Sequence, residues 1–303
     1  MPTRRIRLVP RTPYIGRPTG EELACQSGTA AVSTTNVAHA NEPSGYAAVN
    51  ERLWTAASDA AWTNTSIGNL QAVTASTDSM ASQFTRSAGA VVRCSYPTTT
   101  TVGSGRSNTG YLLTGSGRSG VYLDMDLAFS NPWDGPDNGI SKFVWVTAGS
   151  TSGAPGVFTP FGTDNGSGAL TFQFRMQSCP PNKGGNASDG TQNVNCGTFP
   201  RGTKVRLVAY LVMNSVDGSG NANADGALFV ATDIGDGSGL VVRKNLTTMA
   251  YRGNDSVSGS NFLGPTALFT EVKWNGTYGT SGTQPAQLQY QYVGYSYISK
   301  SPT

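Results

Sequence analysis

From residue 89 to the C-terminus, apolar and polar side chains alternate with a period of two. That is the pattern of strands with one face on a core and the other toward water. The clearest run is 120–129, with Val121, Leu123, Met125, Leu127 and Phe129 on one face and Tyr122, Asp124, Asp126 and Ala128 on the other. The same period predicts strands over 90–96, 110–113, 142–146, 170–176, 204–214, 227–232, 240–243, 266–274 and 287–298. Clusters of Gly, Asn, Asp and Ser separate them, as tight connections between antiparallel strands require. No helix-period segment interrupts the series, which excludes a parallel sheet with helical crossovers. The expected fold is all-β, an antiparallel β-sandwich.

Two local features refine this pattern. Leu288, Tyr290 and Tyr292 share one parity, Tyr295 and Tyr297 the other, and Gly294 sits at the change, so a bulge is expected there. Ala224-Asp225-Gly226 reads as the close of a hairpin loop. Before residue 89 the chain is rich in Ala, Ser, Thr and Asn, with Trp54 and Trp62 as anchors. There the spacing of Val49, Leu53 and Trp54 predicts a short helix over 46–61.

Composition sharpens the division of the chain. Hydrophobic residues make up 37% of the 303 residues, enough for a substantial core, while only 13% are charged. The net charge of +3 is uneven: Arg4, Arg5, Arg7, Arg11 and Arg17 give the first twenty residues +5, leaving −2 for the rest. Pro2, Pro10, Pro13 and Pro18 keep that segment extended. The chain divides into a basic Arg/Pro arm at 1–20, a partly irregular N-terminal extension at 21–85 and a sandwich at 86–303. Because Ile6, Leu8, Val9, Tyr14 and Ile15 interleave with the arginines, the arm reads as a docking strap for an assembly rather than a nucleic-acid contact, the ordinary alternative being a solvated tail. No apolar run is long enough to span a bilayer, and no apolar segment follows the basic N-terminus as a secretory signal requires. Synthesis in a host cytoplasm, with the virion as the final location, is expected.

Several stretches resemble a known family. They are Val91-Val92-Arg93-Cys94-Ser95-Tyr96-Pro97, the glycine loop around Gly103 and Gly105, and the strand from Val121 through Asn131-Pro132-Trp133, followed by Lys142. Further on come 208–214, Asp225-Gly226, Arg243-Lys244-Asn245-Leu246 and the strand ending at Trp274. This progression is similar to the concanavalin-A-like jelly roll of alginate-lyase-type polysaccharide lyases, over roughly residues 85–300. The resemblance implies a jelly-roll sandwich and, as an activity, cleavage of acidic polysaccharide. These motifs are structural, so they speak to fold more than to activity.

A polyuronate lyase needs a group that neutralises the uronate carboxylate and a base that takes the α-proton. The only histidine, His39, lies in the extension and reads as structural. A tyrosine version would draw on Tyr122, Tyr210, Tyr290 or Tyr292 as base, and on Arg93, Arg175, Arg206 or Lys273 as cation. Arg206 with Tyr210, and Gln173 with Arg175, share parities, which would let them line one common face. Asp124 and Asp126, about 6.5–7 Å apart as i and i+2 of a strand, fit a two-carboxylate glycosidase in distance alone. The ordinary alternative is that all of these are solvent-face residues of a sandwich.

Asn221, Asn223 and Asp225 imitate the start of a calcium loop, but Thr232 stands where the bidentate Glu belongs. Cys179 and Cys196 bracket a polar loop that a disulfide would clamp, while Cys25 and Cys94 read as buried thiols. Trp133, Tyr290 and Tyr292 are candidate glycan-stacking residues. The expectation is a structural virion protein of a bacteriophage, a capsid-decorating or tail-associated homo-oligomer. It would contact other virion subunits through its arm, with a lectin-like jelly roll able to bind polysaccharide and no cofactor required. The alternatives are a polysaccharide lyase and a carbohydrate-binding module.

Overall fold

The computed structural model describes residues 39–55, 70–100, 109–112, 117–133, 142–148, 156–161, 169–176, 192–253, 263–277 and 285–302. Among them are fourteen strands and two 3-10 turns but no α-helix. The strands are β1 (Ala47–Leu53), β2 (Leu70–Thr74), β3 (Ala90–Tyr96), β4 (Thr109–Leu112), β5 (Gly120–Phe129), β6 (Lys142–Ala148), β7 (Gly156–Phe161), β8 (Leu170–Met176), β9 (Gln192–Phe199), β10 (Val205–Val212), β11 (Gly226–Asp233), β12 (Val241–Met249), β13 (Phe269–Thr277) and β14 (Gln289–Lys300).

They form two antiparallel sheets. The larger has eight strands in the order β12, β11, β10, β5, β14, β3, β2, with β1 added on β14; the smaller runs β4, β13, β6, β7, β8, β9. The chain changes sheet at β3 to β4, β4 to β5, β5 to β6, β9 to β10, β12 to β13 and β13 to β14. These long returns between two meanders make the sandwich a jelly roll. The predicted runs over 90–96, 120–129 and 170–176 are strands with those same limits.

The alternating apolar residues meet between the sheets. Val121, Leu123, Met125, Leu127 and Phe129 of β5 and Val205, Leu207, Ala209 and Leu211 of β10 face Val144 and Val146 of β6, Phe172 and Phe174 of β8, and Val272 and Trp274 of β13 in one continuous core. At one end, edge-to-face rings of Phe129, Trp133, Phe143 and Phe199 close it, with centroids 4.6–5.6 Å apart.

Two differences from the sequence expectation concern the N-terminal half. The segment expected to be helical contains β1, whose residues pair with the C-terminal half of β14 from Ala47 opposite Lys300 to Leu53 opposite Tyr295. Trp54, fully buried, then turns into the core, where its indole N–H donates to Ser296 Oγ at 2.9 Å. Ala, Glu, Arg and Leu favour a helix in isolation, but pairing to a long central strand overrides that preference. With β1 and β2 both in the eight-stranded sheet, the sandwich begins near residue 47 and the expected boundary at 85 falls inside it.

The bulge at Gly294 is present: register along β5 shifts between Val293 and Tyr295. It lets Tyr290, Tyr292, Tyr295 and Tyr297 all rise from the same outer face despite their opposite parities. A side chain at 294 would collide with the buried Phe84 ring, so glycine is required there. Gly226 is required for a similar reason, since a Cβ would lie 2.8–2.9 Å from backbone atoms of Met249, Val212 and Asn214. The residues expected to form the basic arm lie outside the described residues.

Candidate functional site on the outer face of the six-stranded sheet

Residues directly opposite each other on paired antiparallel strands share a face. Lys273 of β13 pairs with Trp145 of β6, Trp145 with Val157 of β7, and Val157 with Arg175 of β8. This row crosses four strands, roughly 14 Å at the usual strand spacing. Its described side chains, those of Lys273, Trp145 and Arg175, face outward because Val144, Val146, Phe172, Phe174, Val272 and Trp274, at the alternate positions, fill the core.

Lys142 joins the row through a register irregularity between Trp274 and Thr277 of β13. There Phe143 and Val144 are both buried, and Lys142 is left on the outside with its Nζ 4.7 Å from the Trp145 ring centroid. Burial, and then the charge of Arg175, push the Lys142 amine below its ordinary value. Trp145 Nε1 and Arg175 Nε are buried donors with no hydrogen-bond partner. Lys273 is held by Glu271 at 2.7 Å, and Thr147 Oγ1 lies 3.5 Å from the same carboxylate oxygen. The face therefore combines an indole, two cations without a carboxylate among the described residues, and buried N–H groups. Such a surface accepts anionic, hydrogen-bond-accepting ligands.

The sequence-derived candidates divide between two faces. Arg175 and Lys273 belong to this row, whereas Arg206 and Tyr210 lie on β10 of the opposite sheet and cannot act with them on one substrate. Gln173 accompanies Arg175 on the six-stranded side, so the common face expected for all four does not form. Arg206 forks onto Asp124, with Nε 3.1 Å from Oδ1 and Nη2 2.7 Å from Oδ2, and Tyr210 stacks on Phe229 at 5.0 Å.

That outer face of the eight-stranded sheet is covered by the chain's own residues. Over one half lie the 3-10 turns Ser79–Gln83 and Thr85–Ser87, which set Met80, Ala81 and Phe84 against Val91, Ala128 and Tyr292. Asp78 caps the first turn by accepting from Met80 N, and its other oxygen accepts from Arg93 at 2.6 Å and Tyr292 at 3.1 Å. Over the other half run residues 39–46, flanked in the sheet by Glu51 and Leu53 of β1. Tyr122 donates to Ala40 O, Tyr297 to Glu42 and Tyr295 to Glu51, each at 2.9–3.0 Å. His39 stacks on Tyr297 at 3.4 Å, with Nδ1 3.5 Å from Asp124 Oδ2.

Beneath this cover sit Asp124 and Asp126, both 0% exposed. Arg86 grips Asp126 with Nε at 2.7 Å and Nη2 at 2.6 Å, reaches Asp124 with Nη1 at 3.0 Å, and rests on the Tyr295 ring at 4.0 Å. Lys204 Nζ is 3.9 Å from Asp126. Burial alone would raise the Asp124 carboxyl, but contacts from His39 and Arg206 and the charge of Arg86 hold it well below the usual carboxylate range. The pair that fits a glycosidase dyad in distance alone is therefore a buried, salt-bridged structural centre. Burial also pushes up the phenols of Tyr122, Tyr292, Tyr295 and Tyr297, with neighbouring carboxylates adding to the effect, which unfits them as bases.

The remaining candidates are placed as follows. Trp133 and Tyr292 are 0% and 3% exposed, so neither offers a stacking face, and Arg93 lies over the Tyr290 ring at 4.2 Å. In the β10–β11 loop, Asp225 accepts from Ser215 N and Oγ at 2.7 and 2.6 Å; Asn221 donates to Asp217 and Asn223 to Ser215 Oγ. These groups fasten the loop to itself, and no cluster of three or more His, Cys, Asp or Glu suited to a metal occurs among the described residues. Cys196 is a free, buried thiol whose Sγ lies 3.4 Å from Val194 O, and burial pushes it up to about 12. Its expected partner Cys179 lies outside the described residues.

No protein-family profile matches the sequence, and no curated protein does. Among solved structures, the chain is similar to alginate lyase vAL-1 from Chlorella virus, with 13% identity over 70% of this chain and 86% of that one, at a TM-score of 0.43. It is similar to the endo-β-1,4-glucuronan lyase of Trichoderma reesei, with 8% identity over 71% and 82% of the two chains and a TM-score of 0.43. A third likeness is to a carbohydrate esterase of the Shiga toxin-encoding bacteriophage phi24B, with 11% identity over 85% and 91% and a TM-score of 0.37. The fold assignment stands on the strand pairing described above.

Proposed function

We propose that this chain is a structural subunit of a virion whose jelly roll binds acidic polysaccharide on the outer face of its six-stranded sheet. The observation that carries the binding reading is the row Lys273, Trp145, Arg175 with Lys142 beside it, whose buried Trp145 and Arg175 N–H groups, and whose Lys142 and Arg175 without a carboxylate among the described residues, suit a carboxylate-bearing sugar. Binding without cleavage is favoured because the described side chains of this face include no tyrosine or histidine beside Arg175. The tyrosines and arginine that a lyase would need instead are built into the opposite sheet. The assembly half of the reading is supported by the concentration of +5 in the first twenty residues of a chain poor in charge elsewhere. The binding test is retention of the purified protein on immobilised polyuronates and neutral glucans. Uronate-selective retention that weakens with salt and is lost in Trp145→Ala is expected; equal retention on both, or none, overturns the reading. Mass spectrometry of purified particles tests the virion assignment, which fails if the protein is absent from them.

A further inference from the structure

We propose that Glu271 sets the charge pattern of the ligand: the outer face of the six-stranded sheet takes a polysaccharide that mixes acidic and neutral sugars, in preference to one with a carboxylate on every sugar. This rests on the acidic-glycan reading of the same face and narrows its ligand class.

The six strands of this sheet contain one acidic residue, Glu271. It lies on the outer face with Lys273, because Val272 and Trp274, at the alternate positions of β13, are buried in the core. Its Oε2 meets Lys273 Nζ at 2.7 Å, and both side chains are partly buried. Opposite it on β6, Thr147 Oγ1 approaches the same oxygen at 3.5 Å. The β13 end of the row is therefore electrically balanced. The other end is not, since Lys142 and Arg175 have no carboxylate among the described residues. Lys142 instead lies over the Trp145 ring at 4.7 Å, and Arg175 stands three strand spacings from Lys273, roughly 14 Å.

A glycan long enough to cover that distance meets two chemistries. At the end with Lys142 and Arg175, a uronate carboxylate gains charge-assisted hydrogen bonds. At the β13 end a second carboxylate would lie beside Glu271, whose negative charge repels it and whose hold on Lys273 withholds the nearest ammonium. A neutral sugar suits this end, because the Glu271 carboxylate accepts from sugar hydroxyls and the Thr147 hydroxyl both donates and accepts. Discrimination between ligands then comes from repulsion as well as attraction.

The test is calorimetry of the full-length protein with two forms of one β-1,4-glucan, oxidised to the carboxylate at C6 on about half of its sugars or on all of them. The half-oxidised form should bind at least about threefold more tightly, the reverse of the order that charge density alone would give. Glu271→Gln keeps the size and the acceptor oxygen but removes the charge, and should shift the ratio of the two affinities toward the fully oxidised form by at least about threefold. Glu271→Asp, which keeps the charge, should keep the preference. Equal or tighter binding of the fully oxidised form by the wild type overturns the proposal while leaving the acidic-glycan reading standing. A ratio unchanged in Glu271→Gln also overturns it, since Glu271 would then only hold Lys273 in place. If neither oxidised form binds better than the unoxidised glucan, the acidic-glycan reading fails and takes this inference with it.

Discussion

The two sheets turn outward faces of opposite character, although both are built from the same alternation. On the eight-stranded sheet the outward positions carry Asp124, Asp126, Arg206 and a set of tyrosines, and residues 39–46 and 79–87 close over them. On the six-stranded sheet the outward positions carry Trp145, Arg175, Lys273 and, through a register shift, Lys142, and two of their N–H groups lack partners. The same residue types thus do opposite things. Where each charge has met its counter-charge under a cover, the arrangement is structural; where an indole and two cations have no carboxylate among the described residues, it is the arrangement proposed above to take a ligand.

Substitutions can break this contrast. The largest effect is expected for Arg86→Met, which removes the bidentate partner of the buried Asp126 and one arginine of Asp124, and should cost about 3–5 kcal/mol in urea unfolding. Loss of less than about 1 kcal/mol would mean that the network is solvated rather than sealed. Gly294→Val should cost about 1–3 kcal/mol by driving a branched side chain into Phe84 and Ser87.

A smaller effect concerns acid. The Asp124 carboxyl is lower in the folded protein than in the unfolded chain, where such a group titrates near about 3.9. Its contribution is therefore complete above about pH 4 and is lost as pH falls further, by up to about 1.4 kcal/mol per pH unit. Urea midpoints between pH 5 and pH 2.5 should fall less steeply in Asp124→Asn than in the wild type. The smallest stability effect should be at Arg175, where Gln should change unfolding by no more than about 0.5 kcal/mol, since it breaks no ion pair among the described residues.

Much of the fold was legible because strands with one buried face keep a strict period of two, as in 120–129. Besides the short β2, the missed strands are those whose residues answer to their surroundings instead. Pro160 interrupts β7, Asn193 and Asn195 make β9 look like a loop, and β1 carries helix-favouring residues that follow β14 only because of pairing. The run at 240–243 stops where β12 becomes an edge with exposed residues and no alternation to read. At the site, Arg175 and Lys273 could be named from residue type, yet nothing local shows that Arg206 belongs to the other sheet. Lys142 was hidden more deeply, since its odd spacing from Trp145 meets on one side only through the irregularity in β13.

The most direct measurement is the affinity of one uronate polymer for the wild-type protein, Arg175→Gln and Arg206→Gln, by calorimetry on folded samples. The two-face account predicts at least about tenfold weaker binding for Arg175→Gln, equivalent to about 1.4 kcal/mol, and unchanged binding for Arg206→Gln. Loss at Arg206 with Arg175 indifferent would place the ligand on the covered sheet and contradict it.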